Sequence, residues 1–220
     1  MPILTIKSFC SEARLFSYME CQHSEPLLYG ITDGKAVGTY LEQKFRFHLK
    51  ERYEFLVGNS ASGIDFPELL VDVKVTSVKQ PQSSCPFKSA RQKIFGLGYA
   101  LLIFVYDKVD DSTNRTATLN ILHTIYVGAE KTADFQTTRG IRNILGNEGN
   151  KDDLIAFMLD RNLPADDIEL SNIADEIFRH PPIQGFLTIS NALQWRLQYN
   201  RVIERADQEE GILAIYRANL

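Results

Sequence analysis

The sequence contains no stretch of about 18 or more apolar residues, so no membrane-spanning helix is expected. Its start, MPILTIKSFCSEARLF, lacks a basic region followed by an apolar run and a small-residue cleavage site, so no secretory signal is expected either. Cysteine is scarce: Cys10, Cys21 and Cys85 are odd in number and scattered. They form neither a disulfide framework nor a Cys-x-x-Cys metal pair, which suits a reducing, cytoplasmic setting. Internal repeats and low-complexity tracts are absent. Acid is missing from one long segment. Between Val73 and Tyr106 there is no Asp or Glu, while Lys74, Lys79, Lys88, Arg91 and Lys93 supply positive charge to a chain of net charge −4. That segment reads either as a phosphate-directed face or as a solvated helix face.

What is present is the composition of an ordinary globular chain, 44% hydrophobic and 24% charged over 220 residues, enough for one sizeable core. Residues 11–22 have helical spacing through Leu15, Phe16 and Met19. A stronger helix is expected over 35–55, where Val37, Leu41, Phe45 and Leu49 recur every four residues and Thr32 or Asp33 caps the start. The Gly and Ser cluster at 58–63 breaks it. LLVDVKVT then alternates as a strand, Val71, Val73 and Val75 on one face and Leu70, Asp72, Lys74 and Thr76 on the other. A loop over 77–86, a helix from Phe87 to about Leu97 ended by Gly98, a fully apolar strand over 99–106 and a further strand over 116–128 follow. His123, inside that last strand, reads as a hydrogen-bonded core histidine. The order predicts an α/β fold with a mixed central sheet flanked by helices.

From about Lys131 the pattern turns helical, which divides the chain into a core of residues 1–130 and a mainly helical region of 131–220. Helices are expected over 151–163, 170–180 and 188–204, the last capped by Ser190, with a short strand over 210–217. Three helices and a strand is the element order of a winged helix. Gln194, Arg196, Asn200 and Arg201 would lie on its third helix, which either reads DNA or packs on the core or on a second subunit.

The charged residues in an apolar strand need a use, because burying them is costly. Asp72 and Lys74, two apart, project from one face with Cα atoms roughly 6.5 to 7 Å apart. If Pro67, Glu68 and Leu69 turn between antiparallel strands, Asp65 faces Asp72 with Cβ atoms about 5 Å apart. Two carboxylates at that separation repel without a cation and suit magnesium, which keeps waters for hydrolytic chemistry. The alternative is a buried Asp72–Lys74 ion pair with Asp65 capping a turn.

GID65FPELLVD72VK74 resembles the motif of the PD-(D/E)xK nuclease superfamily, with Ile64 where that family often has proline. The resemblance covers roughly residues 35–128. It implies a restriction-endonuclease-like core, Asp65 and Asp72 as metal ligands, Lys74 as catalytic lysine and Glu42, on the preceding helix, as a further acid at the metal. The implied metal set is Asp65, Asp72, Glu42 and Val73, holding Mg2+, with Mn2+ as substitute. Within the superfamily the size fits a type II restriction endonuclease acting on double-stranded DNA as a two-fold homodimer, paired with a cognate methyltransferase. Without GxxxxGK[ST], an ATP-driven nuclease subunit is disfavoured. A structure-selective repair nuclease and a non-catalytic winged-helix regulator are the alternatives. Lys79, Gln80, Gln82, Ser83, Ser84, Lys88, Arg91 and Lys93, leaving the motif strand, carry groups suited to base edges and phosphates.

Overall fold

A computed structural model describes residues 1–58, 63–84, 89–190 and 195–218. Helix α1 (Ile6–Glu20) is closed by a capping box between Thr5 and Ser8, and α2 (Gly34–Lys50) by the Asp33 carboxylate on the amide of Lys35. A two-residue strand β1 (Ser24–Glu25) lies between them. The chain then forms β2 (Val71–Ser77), β3 (Gln82–Ser84), the short helix α3 (Ala90–Phe95), and two twelve-residue strands, β4 (Ala100–Asp111) and β5 (Thr116–Val127). Helices α4 (Phe135–Gly146), α5 (Lys151–Asp160) and α6 (Asp167–Arg179) follow, then β6 (Thr188–Ile189), β7 (Arg196–Gln198), α7 (Asn200–Arg205) and β8 (Ile212–Arg217).

The main sheet is mixed. β2 runs parallel to β4, β4 pairs antiparallel with β5, and β1 and β8 share the other edge of β5. The apolar run expected of a covered strand is β4. Leu102, Phe104 and Tyr106 face a cluster with Phe9, Phe16, Leu41 and Phe45, while Leu101, Ile103 and Val105 face a second cluster with Leu197, Tyr199 and Ile212. Each fully buried residue of this kind stabilises by about 1.5–3 kcal/mol. A third cluster joins Ala90 and Ile94 to Ile141, Leu154, Ile173 and Ile177 of the helices beyond β5.

The C-terminal third corrects the winged-helix expectation. Where one helix was expected over 188–204, the chain forms β6, β7 and only six residues of α7, so Ser190 caps no helix. The physical reason is tertiary: Ile189 and Leu197 alternate with polar neighbours at period two and are buried beneath a small sheet ordered β3–β7–β6. The expected loop over 77–86 therefore contains a strand, β3, whose register partner lies more than a hundred residues away. α3 ends at Gly96, where φ is +92°, rather than at Gly98. β8 joins β5, tying Ile212–Arg217 into the main sheet.

Candidate active site

The hairpin inferred from the sequence is present as one antiparallel bridge closed by a four-residue turn. Phe66 and Val71 exchange both backbone hydrogen bonds, 3.0 and 3.2 Å, and the turn between them passes through Leu70 in the left-handed region at φ +51°. Asp65 and Asp72 flank this pair directly. Gly58 makes the hairpin possible from outside: its amide donates to the Asp65 carbonyl at 3.0 Å, and an added Cβ would stand 1.8 Å from the Ile64 carbonyl oxygen. Along β2 the predicted alternation holds. Val71 and Val73 enter the core, while Asp72, Lys74 and Thr76 share the opposite face.

Asp65, Asp72, Val73 and Lys74 line a cavity of about 320 Å³ with Glu42 and Arg46 of α2. Arg46 donates to Asp65 Oδ1 at 2.9 Å, and the Val73 amide donates to Asp65 Oδ2 at 3.0 Å. Lys74 Nζ stands 2.5 Å from Asp72 Oδ2, a Coulombic contact in which that buried oxygen meets no donor in hydrogen-bond geometry. Burial pushes the Glu42 carboxyl up to about 7, with Asp65 and Asp72 reinforcing the rise and Lys74 and Arg46 opposing it. Burial likewise pushes Asp72 up to about 6; Lys74 resists, and the Asp65 carboxyl, within hydrogen-bonding reach, adds to the rise. Three acids crowd one pocket and two cations restrain them.

No three His, Cys, Asp or Glu side chains among the described residues form a cage for a metal ion. The donor set nevertheless fits a hard cation of the magnesium kind, which needs only one or two carboxylates and keeps its waters. Asp65 and Asp72 supply that pair. Val73 contributes only backbone here, since its side chain is in the core.

Glu42 and Lys74 also line a second, contiguous cleft of about 530 Å³, bounded by Gly34, Lys35, Gly38 and Thr39 of α2, by Gln80, Gln82, Ser83 and Ser84, and by Arg196. The sequence-based contact residues therefore divide. Gln80, Gln82, Ser83, Ser84 and Arg196 converge on the cleft, Arg196 from β7 rather than from a recognition helix. Lys79 is exposed in the turn after β2. Lys93 is only 4% exposed, with its ammonium 4.9 Å from the Trp195 ring centre, so it is unavailable to a phosphate. Arg91 is engaged by Glu176 through its two terminal guanidinium nitrogens. Arg201 stacks on Phe135 at 3.7 Å, and Asn200 is exposed at the start of α7. Lys88 and Gln194 lie outside the described residues. His123 is half-buried, its pKa lowered by burial and by Arg217.

Two residues with structural authority over the site escaped the sequence reading. Arg46, which holds Asp65, sits one helical turn after Glu42, a spacing that places both on one face. Thr76 is buried, and its single hydroxyl proton is shared between the carbonyls of Gln80 and Gln82 at 3.2 and 3.1 Å while the oxygen accepts from the Gln82 amide at 2.9 Å. It clamps β3 to the end of β2.

Fold and site together define an α/β protein whose edge strand carries a carboxylate–lysine constellation into a cleft lined with hydrogen-bonding groups. The family model described as Type II restriction enzyme NspV matches residues 3–214, and the chain belongs to that family. The "Type II restriction enzyme NspV" of Nostoc sp. (strain ATCC 29411 / PCC 7524) is 80% identical over 219 residues, covering 100% of both chains. No solved structure matches.

Proposed function

We infer that the chain is a sequence-specific double-stranded DNA endonuclease, a type II site-specific deoxyribonuclease that hydrolyses phosphodiester bonds. The carrying observation is the convergence of Asp65, Asp72, Lys74 and Glu42 on one pocket, in a chain that is 80% identical from end to end to a type II restriction enzyme. The motif and its hairpin support membership of the PD-(D/E)xK superfamily. Asp65 and Asp72 would hold Mg2+, or Mn2+ in its place, with Glu42 beside them. When bound, the cation supplies Lewis-acid stabilisation of the charge that develops on the phosphorane.

The chain's own groups do the rest. Lys74 Nζ, fixed on the same strand face as Asp72, orients or deprotonates the attacking water, or else neutralises the phosphate. Arg46 holds the Asp65 carboxylate in place at the pocket through its hydrogen bond to Oδ1. Glu42, raised to about 7, is poised to exchange a proton near neutral pH. Cutting both strands of a palindromic target calls for a two-fold homodimer, and a cognate methyltransferase protects host DNA. No described helix is long and apolar enough to cross a membrane; a cytoplasmic location suits a DNA substrate.

Of the alternatives, a structure-selective repair nuclease shares the pocket but has no support from the full-length relative. A winged-helix regulator loses its basis with the missing third helix. The deciding experiment incubates the purified chain with phage DNA and Mg2+, with a chelator control. Discrete fragments that vanish on chelation are expected; uncut DNA, or a continuous smear, overturns the reading.

A further inference from the structure

We propose that the solvent face of the small sheet β3–β7–β6 is the specificity surface, with Gln82, Ser84, Arg196 and Gln198 reading base edges in the major groove. The inference rests on the endonuclease reading above and identifies the part of the molecule that chooses the target.

The register builds this face row by row. Gln82 is opposite Gln198, which is opposite Thr188 on the next strand. Ser84 is opposite Arg196, whose amide donates to Ser190 Oγ at 3.2 Å and whose carbonyl accepts from the Ser190 amide at 3.1 Å. The row between them, Ser83–Leu197–Ile189, belongs to the other face. Leu197 and Ile189 are buried, and Ser83 Oγ stands 2.5 Å from the buried Tyr199 hydroxyl. With a side-chain period of two, Gln82, Ser84, Arg196, Gln198, Thr188 and Ser190 all fall on the opposite side. That side presents amides, hydroxyls and one guanidinium. It carries no carboxylate.

Such a surface is poorly suited to phosphates alone, because neutral amides and hydroxyls release no counterions. Its groups match base edges instead: arginine pairs bidentately with guanine O6 and N7, and glutamine with adenine N6 and N7. A narrow antiparallel ribbon also fits the major groove, which an isolated surface loop cannot fill as rigidly. The placement is right for reading beside a scissile bond. Gln82, Ser84 and Arg196 line the same cleft as Glu42 and Lys74. Thr76, on the strand face that carries Asp72 and Lys74, fixes the ribbon to the catalytic strand through its hydroxyl. Reading and cutting are thus held in one frame.

The test uses the full chain. The ends of phage-DNA fragments define the target, and kcat/KM is then measured on a target duplex and on duplexes with one base pair changed. For Arg196→Ala, Gln82→Ala and Gln198→Ala, the rate on the target should fall about 10- to 100-fold, while the rate on one particular changed duplex falls far less. Discrimination should therefore collapse at single positions. Arg196→Lys should not restore it, since lysine lacks the planar fork. Lys151→Ala, which breaks an exposed ion pair with Asp175 outside both pockets, should keep discrimination intact. Thermal unfolding verifies that each variant folds, and Gln198→Ala decides the matter if Arg196→Ala does not. An equal fall on every duplex, or unchanged discrimination in folded variants, overturns the specificity surface while leaving the endonuclease standing. A wild-type chain that cuts no DNA overturns both.

Discussion

The acid pocket between α2 and β2 and the polar face of the small sheet open onto one cleft, yet they are built on opposite principles. The pocket gathers three carboxylates and two cations, and burial pushes Glu42 and Asp72 up to about 7 and about 6. The sheet face avoids acids entirely and keeps its polar groups half-exposed and mostly neutral. Chemistry on a phosphate needs charge held in a low dielectric, and the pocket bears that cost. Reading bases needs directional hydrogen bonds in which no charge repels the duplex. Segregating the two lets each be altered without destroying the other.

The largest break in that contrast is at Asp72. Asp72→Ala removes a carboxylate proposed to hold the metal together with the partner of Lys74, and cleavage should fall by about 10²–10⁴ or more with folding retained. Lys74→Ala should do the same. Plasmid digestion measures both, and retained cleavage by either variant removes it from the active site. Target discrimination in binding should survive in each.

Glu42 tests the electrostatic side. Its folded pKa, about 7, lies above the ordinary 4.5, so between these values the folded chain holds a proton that the unfolded chain has lost. Stability contributed by this group is therefore present at low pH, falls as pH climbs from 4.5 to 7, and is gone above. Neutral Glu42→Gln should melt higher than wild type at pH ~8, by about 2 kcal/mol or roughly 5 °C, and equally at pH ~4. Cleavage should move the opposite way. Equal melting at both ends of the range would place Glu42 in solvent rather than in the pocket.

The pocket was legible because it is local. Asp65, Asp72 and Lys74 lie within ten residues, and period-two alternation with one turn suffices to place them together. α2 and β4 were legible for a similar reason, as strong periodicity and a continuous apolar run need no distant partner. The specificity face was not, because it is made by pairing β3 with β7 across more than a hundred residues. Leu197 and Ile189, read at helical spacing, suggest a helix until the buried surface beneath them is known. Lys93 failed differently: a lysine in a basic segment reads as exposed, and only the tertiary fold lays it over Trp195. The resemblance to a nuclease motif supplied Glu42, which helical spacing alone leaves ambiguous.

Thr76 joins the two regions, and cutting that joint should have a smaller effect. Thr76→Val keeps the shape but leaves the Gln82 amide without its hydroxyl partner, at a cost of about 1–3 kcal/mol. Discrimination should weaken while cleavage of a fully matched target persists. If discrimination is untouched, the ribbon holds its place without this clamp.

The smallest effect is expected at Arg91, and it separates a charged surface from a functional one. Sequence position favours a phosphate contact, because Arg91 stands in an acid-free segment just beyond the motif strand. The guanidinium is instead engaged by Glu176 of α6, with one contact at 2.7 Å, and its carbon lies 5.3 Å from the Phe95 ring centre. Hydrogen bonding to Arg91 also holds the Glu176 carboxyl below its usual range. Half of the Arg91 side chain is exposed, and pairs at such sites contribute at most about 1 kcal/mol. Arg91→Ala should therefore lower Tm by no more than about 2–4 °C and leave the salt dependence of DNA binding unchanged. A slope reduced by about one would mean that the arginine abandons Glu176 for a phosphate when DNA arrives, and that the basic segment serves the duplex after all.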